Sequence, residues 1–184
     1  MRIFATMMLV AGLIGCGSQQ ESGLKDDSSN ESIKAFAGEL TLLEDGEETG
    51  KLTVISLSKS NKATGVMTEE VIVQDHADPE NPEKTVATIK VNDDGTMVIS
   101  EKDELFEGEG EFTAGEAWSW TAWNSQVTTE DGLLVKSSYA VVDGKLNVKK
   151  DIIERRRVLA SVEGTLEEIS LDDYEAKRKA ILGE

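Results

Sequence analysis

Apolar and polar residues alternate regularly along most of this chain, and the alternation restricts the folds that it can adopt. From residue 36 onward this alternation runs in short segments, and turn-forming residues separate one segment from the next. A period of two is typical of a strand with one buried face. The separating residue types accept positive φ in tight hairpin loops, so they join neighbouring strands antiparallel. The separators are Glu44-Asp45-Gly46, Ser60-Asn61, Asp94-Gly95, Asp131-Gly132 and Asp143-Gly144.

The number of segments indicates a closed or strongly curved sheet. A meander of this size normally curls and closes, because closure removes its exposed edges. No interior segment has a helical period, and the chain shows no long repeat. We therefore predict an all-β fold, an antiparallel up-and-down barrel or strongly curled meander of about 8 to 10 strands. The predicted strands are 39–44, 51–58, 63–74, 84–91, 95–101, 104–112, 116–129, 133–142, 145–153 and 156–169.

The end of the chain changes to a helical pattern. Ser170 is a suitable N-cap with Asp173 three residues later, basic residues follow at 177–179, and Gly183 comes next. These signals predict a C-terminal α-helix over 171–182. Its apolar residues share one stripe, which needs a surface to pack against. The stripe consists of Leu171, Tyr174, Ile181 and Leu182.

The other end of the chain carries an export signal. Residues 3–15 form an apolar run after Arg2, and the run stops at Leu13-Ile14-Gly15-Cys16. A helix needs about 20 residues to cross the bilayer core, so this shorter run predicts a signal peptide. The stretch resembles a bacterial lipobox, which implies that Cys16 is lipidated and becomes the first residue of the mature chain. The alternative is an ordinary secretory signal with an incidental cysteine.

The residues after Cys16 predict a tethered domain on a membrane. Acyl chains on Cys16 would hold the protein stably, and Gly17-Ser18 resembles an outer-membrane sorting signal, which implies the outer membrane of a bacterial envelope, facing the periplasm. Residues 17–32 are polar and without periodicity, as in a flexible tether. The predicted organisation is a signal peptide (1–15), a lipidated cysteine with a tether (16–35), a β-barrel domain (36–170) and a C-terminal helix packed on the barrel (171–184).

Charge excludes one class of partner. The chain has 36 acidic and 19 basic residues and a net charge of −17, and such a surface repels nucleic acid. We interpret the charge as a source of solubility beside a membrane, with calcium binding as the alternative. Asn92-Asp93-Asp94-Gly95 lacks the alternating ligands and the distal Glu of an EF-hand and is typical of a hairpin turn. Since Cys16 is the only cysteine, the mature domain has no disulfide.

An up-and-down barrel with a flexible N-terminal lead and a C-terminal helix resembles the lipocalin-like, or calycin-like, architecture. The match is to the architecture, because the first strand begins Gly38-Glu39-Leu40 and lacks the Gly-x-Trp sequence of true lipocalins. The resemblance implies that the barrel holds a small, often apolar, ligand.

Three tryptophans lie within six positions on one predicted strand. Its neighbour, residues 105–112, alternates cleanly and places acids on one face and aromatic or glycine residues on the other. A three-residue loop at 113–115 sets Trp118 and Trp120 inside, each opposite a glycine. The predicted pairs are Gly110 with Trp118 and Gly108 with Trp120.

Trp118 and Trp120 then either plug the barrel or line an open cavity. The predicted interior also has small residues, which leave room for a cavity. The candidate ligand-binding residues are Phe106, Phe112, Trp118, Trp120, Asn124 and Ser138.

Trp123 is predicted to face outward on the same strand. On this register it pairs with Tyr139 and with Leu105, which gives an exposed apolar patch. We expect the C-terminal helix to cover this patch, and an envelope protein is the alternative.

No catalytic or metal site is indicated. His76 is the only histidine, without the Cys or His neighbours of a zinc site and without a nucleophile elbow. Glu69 and Glu70 are adjacent, so in a strand they point to opposite faces. We therefore predict a protein that is not an enzyme and has no cofactor. Its predicted function is to carry a small apolar or amphipathic ligand; a structural or assembly role through protein contacts in the envelope is the alternative.

Overall fold

The computed structural model describes residues 31–184, apart from 62–63, 65, 93–95, 102–103, 114–116, 125–133 and 143–144. The signal peptide, the lipobox with Cys16 and the tether up to residue 30 lie outside the described residues. So do the predicted turns at Asp94-Gly95, Asp131-Gly132 and Asp143-Gly144.

The described residues form ten antiparallel strands and one helix. Each strand pairs with its neighbours in the sequence, and the first also pairs with the tenth, so the sheet closes into a barrel. The predicted all-β barrel with a C-terminal helix is confirmed. The elements are β1 (Glu31–Glu44), β2 (Glu47–Asn61), β3 (Val66–Asp75), β4 (Glu83–Val91), β5 (Thr96–Glu101), β6 (Glu104–Thr113), β7 (Ala117–Asn124), β8 (Leu134–Val142), β9 (Lys145–Glu154), β10 (Arg157–Ile169) and α1 (Leu171–Leu182).

The barrel begins earlier than the alternation indicates. β1 starts at Glu31, whereas the tether was expected to continue to residue 35. Ala35 and Phe36 are each only 1% exposed, and Phe36 pairs with Ser56 on β2. Pairing with β2 keeps residues 31–34 extended, and β10 pairs on the other side from Ala35 onward. The local sequence does not reveal such long-range pairing.

Two hairpins at one end of the barrel use left-handed turn residues. Asp45 and Gly46 have φ of 52° and 85° between β1 and β2, as their sequence predicts for a two-residue hairpin. Arg155 and Arg156 have φ of 49° and 68° between β9 and β10, a conformation that costs a residue with a Cβ about 1–2 kcal/mol. Arg157 joins the two hairpins through an ion pair with Asp45, at 2.5 Å.

The core lies inside the barrel. Leu40 on β1 pairs with Leu52 on β2 and with Gly164 on β10, and Leu146 on β9 pairs with Leu166 on β10. These four leucines are buried. Burial alternates residue by residue along the first half of β9, as a strand with one inner face requires.

α1 begins and ends at the predicted caps. The Ser170 hydroxyl accepts a hydrogen bond from the Asp173 N–H at 3.1 Å. Gly183 has a φ of 71°, and its N–H bonds to the Lys179 carbonyl oxygen. Both contacts satisfy backbone groups that a helix end leaves without partners.

α1 packs on the outer face of the barrel. Tyr174 is 1% exposed and packs with Ala35, Ile55 and Ile72, which belong to β1, β2 and β3. The expectation that this helix covers Trp123 is wrong. The helix is centred on β2 and Trp123 belongs to β7, and four strands separate these two in either direction around the ring.

Candidate functional site

The inner face of the barrel carries buried polar side chains among its apolar ones. Each has at most 4% of its surface exposed. Their strand positions have the same parity as those of buried apolar residues, so they point inward with them. Burying such groups is costly unless they are hydrogen-bonded. Among the described residues they are Ser56, Ser58, Glu69, Thr85, Ser137 and Lys150.

One part of this polar set lies on β2 and β3. The Ser56 hydroxyl donates a hydrogen bond to the Glu69 carboxylate at 2.9 Å. The Ser58 hydroxyl donates to the sulfur of Met67 at 3.1 Å. Glu69 is fully buried while Glu70 bonds to the helix outside, so the prediction that these two acids point to opposite faces is confirmed.

The second part lies on β8 and β9. Ser137 and Lys150 are direct partners in the ladder between these strands, with 0% and 2% of their surfaces exposed. Within the described part of the chain the Ser137 hydroxyl has no hydrogen-bond partner. A buried hydroxyl without a partner costs about 1–3 kcal/mol. Lys150 takes part in an interaction of its own, but its charge still lies inside the barrel.

The tryptophan strand has a different register from the one predicted. Gly110 pairs with Trp120, and Phe112 pairs with Trp118, so the predicted glycine partners were wrong by two residues. Thr113 pairs with Ala117, whereas the predicted loop already begins at residue 113. A shift of two residues preserves the faces, so positions 118 and 120 share a sheet face with 106 and 112. The side chains of Phe106, Phe112, Trp118, Trp120 and Asn124 lie outside the described part of the structure, and their role in ligand binding stays a prediction.

The register between β7 and β8 differs from the predicted one by an odd number of residues. An odd shift moves each residue of one strand to the other face of the sheet relative to its neighbour. Tyr139 pairs with Trp118, while Trp123 pairs with Leu134 and Glu107. Tyr139 therefore lies on the opposite face from Trp123, and the predicted three-residue patch is wrong in this member. Leu105 pairs with Ser100 on β5 and stays on the face of Trp123.

The same shift changes which serine faces inward. Ser138 was predicted to line the interior, but it is exposed and Ser137 is buried. The sequence did contain a signal for the missed charges. Lys150 lies two residues from Val148 and from Ile152 on β9, so it shares their face of the strand. The alternation alone therefore predicts a charged residue at an inward position.

A separate groove of about 380 Å³ lies outside the barrel, beside α1. It is open to solvent and combines apolar and charged side chains. Near it, His76 Nε2 and the Thr53 hydroxyl are hydrogen-bonded at 2.9 Å, and Glu39 lies 3.5 Å from His76. Residues that line the groove include Ala37, Ile55, Ile169, Ile181, Glu39 and Lys177.

Glu70 fastens α1 to the barrel. Its carboxylate accepts hydrogen bonds from the Tyr174 hydroxyl at 2.8 Å and Arg178 Nε at 3.3 Å, and Lys84 lies at 2.7 Å. Burial raises the pKa of Glu70, but the bonds from Lys84, Tyr174 and Arg178 outweigh it and hold the pKa below its usual value. Burial, followed by the Glu70 carboxylate, raises the pKa of the Tyr174 hydroxyl, which therefore remains a donor.

Within the described ranges no group of three His, Cys, Asp or Glu residues is placed to hold a metal ion. No helix in the same ranges combines the length and the apolar character needed to cross a membrane. Comparison of the chain with protein-family models, curated proteins and solved structures finds no match.

Proposed function

We propose that this protein is a binding or carrier lipoprotein that holds a small amphipathic ligand inside its barrel. The observation that supports this function is the mixed inner face. Leu40, Leu52 and Val148 give it an apolar wall, while Ser137 and Lys150 add polar groups at buried positions. A core that serves packing alone is more stable without such groups. An amphipathic ligand would match both kinds of surface.

The proposed location is the bacterial cell envelope. Lipidation of Cys16 would anchor the chain, and Gly17-Ser18 favours the outer membrane with the protein facing the periplasm. We propose that the ligand is bound and released unchanged, so the function needs neither a cofactor nor a catalytic residue. The membrane is then the first partner, and the ligand is the second.

Native mass spectrometry tests the carrier function. The full chain with Cys16→Ala is produced in a bacterial envelope without detergent and is sprayed under native and denaturing conditions. We expect a bound species of defined mass in the native spectrum that is lost on denaturation. Titration with lipids and aromatic compounds should also change the tryptophan emission. The absence of any bound species, together with a constant emission, would contradict the proposal.

The alternative function is assembly through protein contacts in the envelope, with either the outward apolar patch or a barrel rim as the interface. The register removes Tyr139 from that patch and leaves positions 105 and 123 on one face. One variant distinguishes the two functions. Trp123→Glu should abolish capture of an envelope partner if the surface acts in assembly, and should leave ligand binding unchanged if the protein is a carrier.

A further inference from the structure

We propose that α1 is a detachable strap: it leaves the outer face of β1, β2 and β3 as a unit while the barrel stays closed, and loss of the Glu70 charge in acid favours its release. Detachment would expose an apolar surface that α1 covers at neutral pH. The strap does not depend on what the barrel holds, so it goes beyond the proposed carrier function.

The barrel closes without the helix. β1 pairs with β10 from Ala35 with Ile169 to Glu44 with Ala160, and this ladder completes the ring of strands. α1 begins after the single residue Ser170 and lies outside the ring. The helix can therefore turn away at Ser170 while the ladder between β1 and β10 stays intact.

Few side chains hold α1 in place. Of its 12 residues only Tyr174 is buried, and Ile181 and Leu182 are half-buried against the same cluster. A helix of this length is only marginally stable in water on its own, and elements with few buried contacts are the ones that open locally. We therefore expect α1 to open, and to unwind, more readily than the barrel unfolds.

The polar attachment of α1 centres on Glu70, on the outer face of β3. The Tyr174 hydroxyl and Arg178 Nε of α1 donate to one carboxylate oxygen at 2.8 and 3.3 Å. Lys84 of β4 contacts the other oxygen at 2.7 Å, and β2 presents the uncharged Leu57 opposite Glu70. Bonds to an ionised acceptor are stronger than bonds to a neutral one, so the charge of Glu70 strengthens the hold on the helix.

Two further acids lie near this attachment. Glu184 accepts hydrogen bonds from Arg178 at 2.6 and 3.3 Å, but both residues belong to the same terminal segment, so this contact does not reach the barrel. Burial, then the Glu70 carboxylate and, more weakly, Glu175 raise the pKa of the Tyr174 hydroxyl, which stays a donor in acid. Glu70 is therefore the acid whose protonation weakens the link between helix and barrel.

The direction of the pH effect follows from the same contacts. Burial raises the pKa of Glu70, but the bonds from Lys84, Tyr174 and Arg178 outweigh it and hold the pKa below its usual value. When α1 leaves, the bonds from Tyr174 and Arg178 are lost and the carboxylate takes up a proton more easily. Acid therefore favours the detached state as the pH falls through the pKa of the attached one.

Release would uncover one continuous apolar surface. Ala35, Ile55 and Ile72 lie under Tyr174 on three neighbouring strands. Ile55 also lines the groove beside α1, together with Ala37. Without α1 the groove would widen into this face.

Thiol labelling compares the opening of α1 with the unfolding of the barrel. The full chain with Cys16→Ala receives one new cysteine, either Ala35→Cys beneath α1 or Ala87→Cys inside the barrel. The two alanines are matched, because 1% and 0% of their surfaces are exposed. A dithiodipyridine reagent, which reacts with thiols in acid as well as at neutral pH, measures how fast each becomes accessible. Each chain is also made with Glu70→Gln or with the control Glu167→Gln, which removes an exposed acid.

We expect the thiol of Ala35→Cys to react about tenfold faster or more than that of Ala87→Cys, because α1 opens more often than the barrel. Urea should accelerate the first reaction little and the second strongly, since local opening exposes less surface. At neutral pH Glu70→Gln should raise the rate at Ala35→Cys about fivefold or more, and Glu167→Gln should leave it unchanged. The effect of Glu70→Gln should shrink in acid, where the parent chain also loses the charge.

Hydrogen exchange of the full chain with Cys16→Ala checks the result without a substitution beneath the helix. The amides of α1 should exchange faster than those of β2, the strand under it. If Ala35→Cys does not fold, this comparison decides. Equal exchange of α1 and β2 would then overturn the strap.

Two labelling results would also contradict the proposal. Equal rates at the two thiols, with an equal dependence on urea, would show that α1 leaves only when the whole barrel unfolds. Equal acceleration by Glu70→Gln and Glu167→Gln, or an effect of Glu70→Gln that is the same at neutral and acid pH, would show that the Glu70 charge does not control release.

Discussion

The Tyr174 hydroxyl donates a hydrogen bond to the Glu70 carboxylate across 2.8 Å and so joins the C-terminal helix to the third strand of the barrel. The same carboxylate also holds Arg178 of the helix and Lys84 of β4. One acid on the outer face therefore connects three elements, and it makes the attachment of the helix sensitive to charge.

Replacing Glu70 should loosen the helix. Glu70→Gln keeps an acceptor for Tyr174 but removes the charge that Lys84 and Arg178 contact. We expect the free energy of unfolding to fall by about 1–2 kcal/mol, since the bonds to a charged acceptor weaken and the site is partly exposed. Urea unfolding of the parent chain and of the variant measures this difference in free energy. Glu167→Gln is the control, because Glu167 is an exposed partner of Lys145, and an equal loss in both variants would contradict a special role for Glu70.

The contribution of Glu70 should disappear in acid. The unfolded chain protonates this carboxyl near its ordinary pKa of 4.5, and the folded protein only at a lower pH. The unfolded state therefore binds more protons in this range, so the stabilisation is complete above the unfolded pKa and is lost as the pH falls through the folded one. The difference in unfolding free energy between the parent chain and Glu70→Gln should shrink as the pH falls through 4.5 and then through the lower pKa of the folded protein. A constant difference would show that the charge of Glu70 does not stabilise the fold.

Gly38 should not tolerate a side chain. A Cβ at this position would lie 2.5 Å from the Thr165 carbonyl oxygen and 2.9 Å from Leu166 Cδ2. We expect Gly38→Ala to destabilise the barrel by about 1–3 kcal/mol, as overpacking does. Gly50→Ala is the matched control, since no atom lies within 4 Å of its Cβ. Thermal and urea unfolding of both variants check the prediction, which similar stabilities would disprove.

A glycine in the turn between β9 and β10 should stabilise the protein. Arg156 has a φ of 68°, which glycine adopts without strain. Arg156→Gly should raise the free energy of unfolding by about 0.5–1 kcal/mol. The reciprocal change, Gly46→Ala at a φ of 85° with open space around it, should lower it by about 1 kcal/mol. Chemical unfolding of the two variants gives both values, and a loss of stability in Arg156→Gly would contradict strain at this turn.

The fold was predictable because turn residues and alternation specify neighbouring antiparallel strands. Asp45-Gly46 ends one strand and starts the next, and Ser170 and Gly183 bracket the helix as their chemistry requires. The start of β1 was not predictable, because Glu31 and Ser32 are polar and pair only with residues far along the chain. Long-range pairing leaves no local pattern.

The site was less predictable than the fold because it depends on register. An error of two residues at Trp118 and Trp120 kept both positions on one face. An odd error between β7 and β8 exchanged Ser137 for Ser138 and moved Tyr139 away from Trp123. The alternation in a short strand shows its period of two but not its register against the neighbouring strand. The register decides which side chains face the interior.

Nuclear Overhauser contacts between the ligand and protein methyl groups decide whether the ligand lies inside the barrel. The full chain with Cys16→Ala is labelled at its methyl groups and mixed with hexadecanoate. Val148 and Ile152 are buried inside the barrel, while Ile169 and Ile181 line the outer groove. We predict contacts from the alkyl chain to Val148 and Ile152. Contacts confined to Ile169 and Ile181, or no contacts to any of the four, would contradict the account.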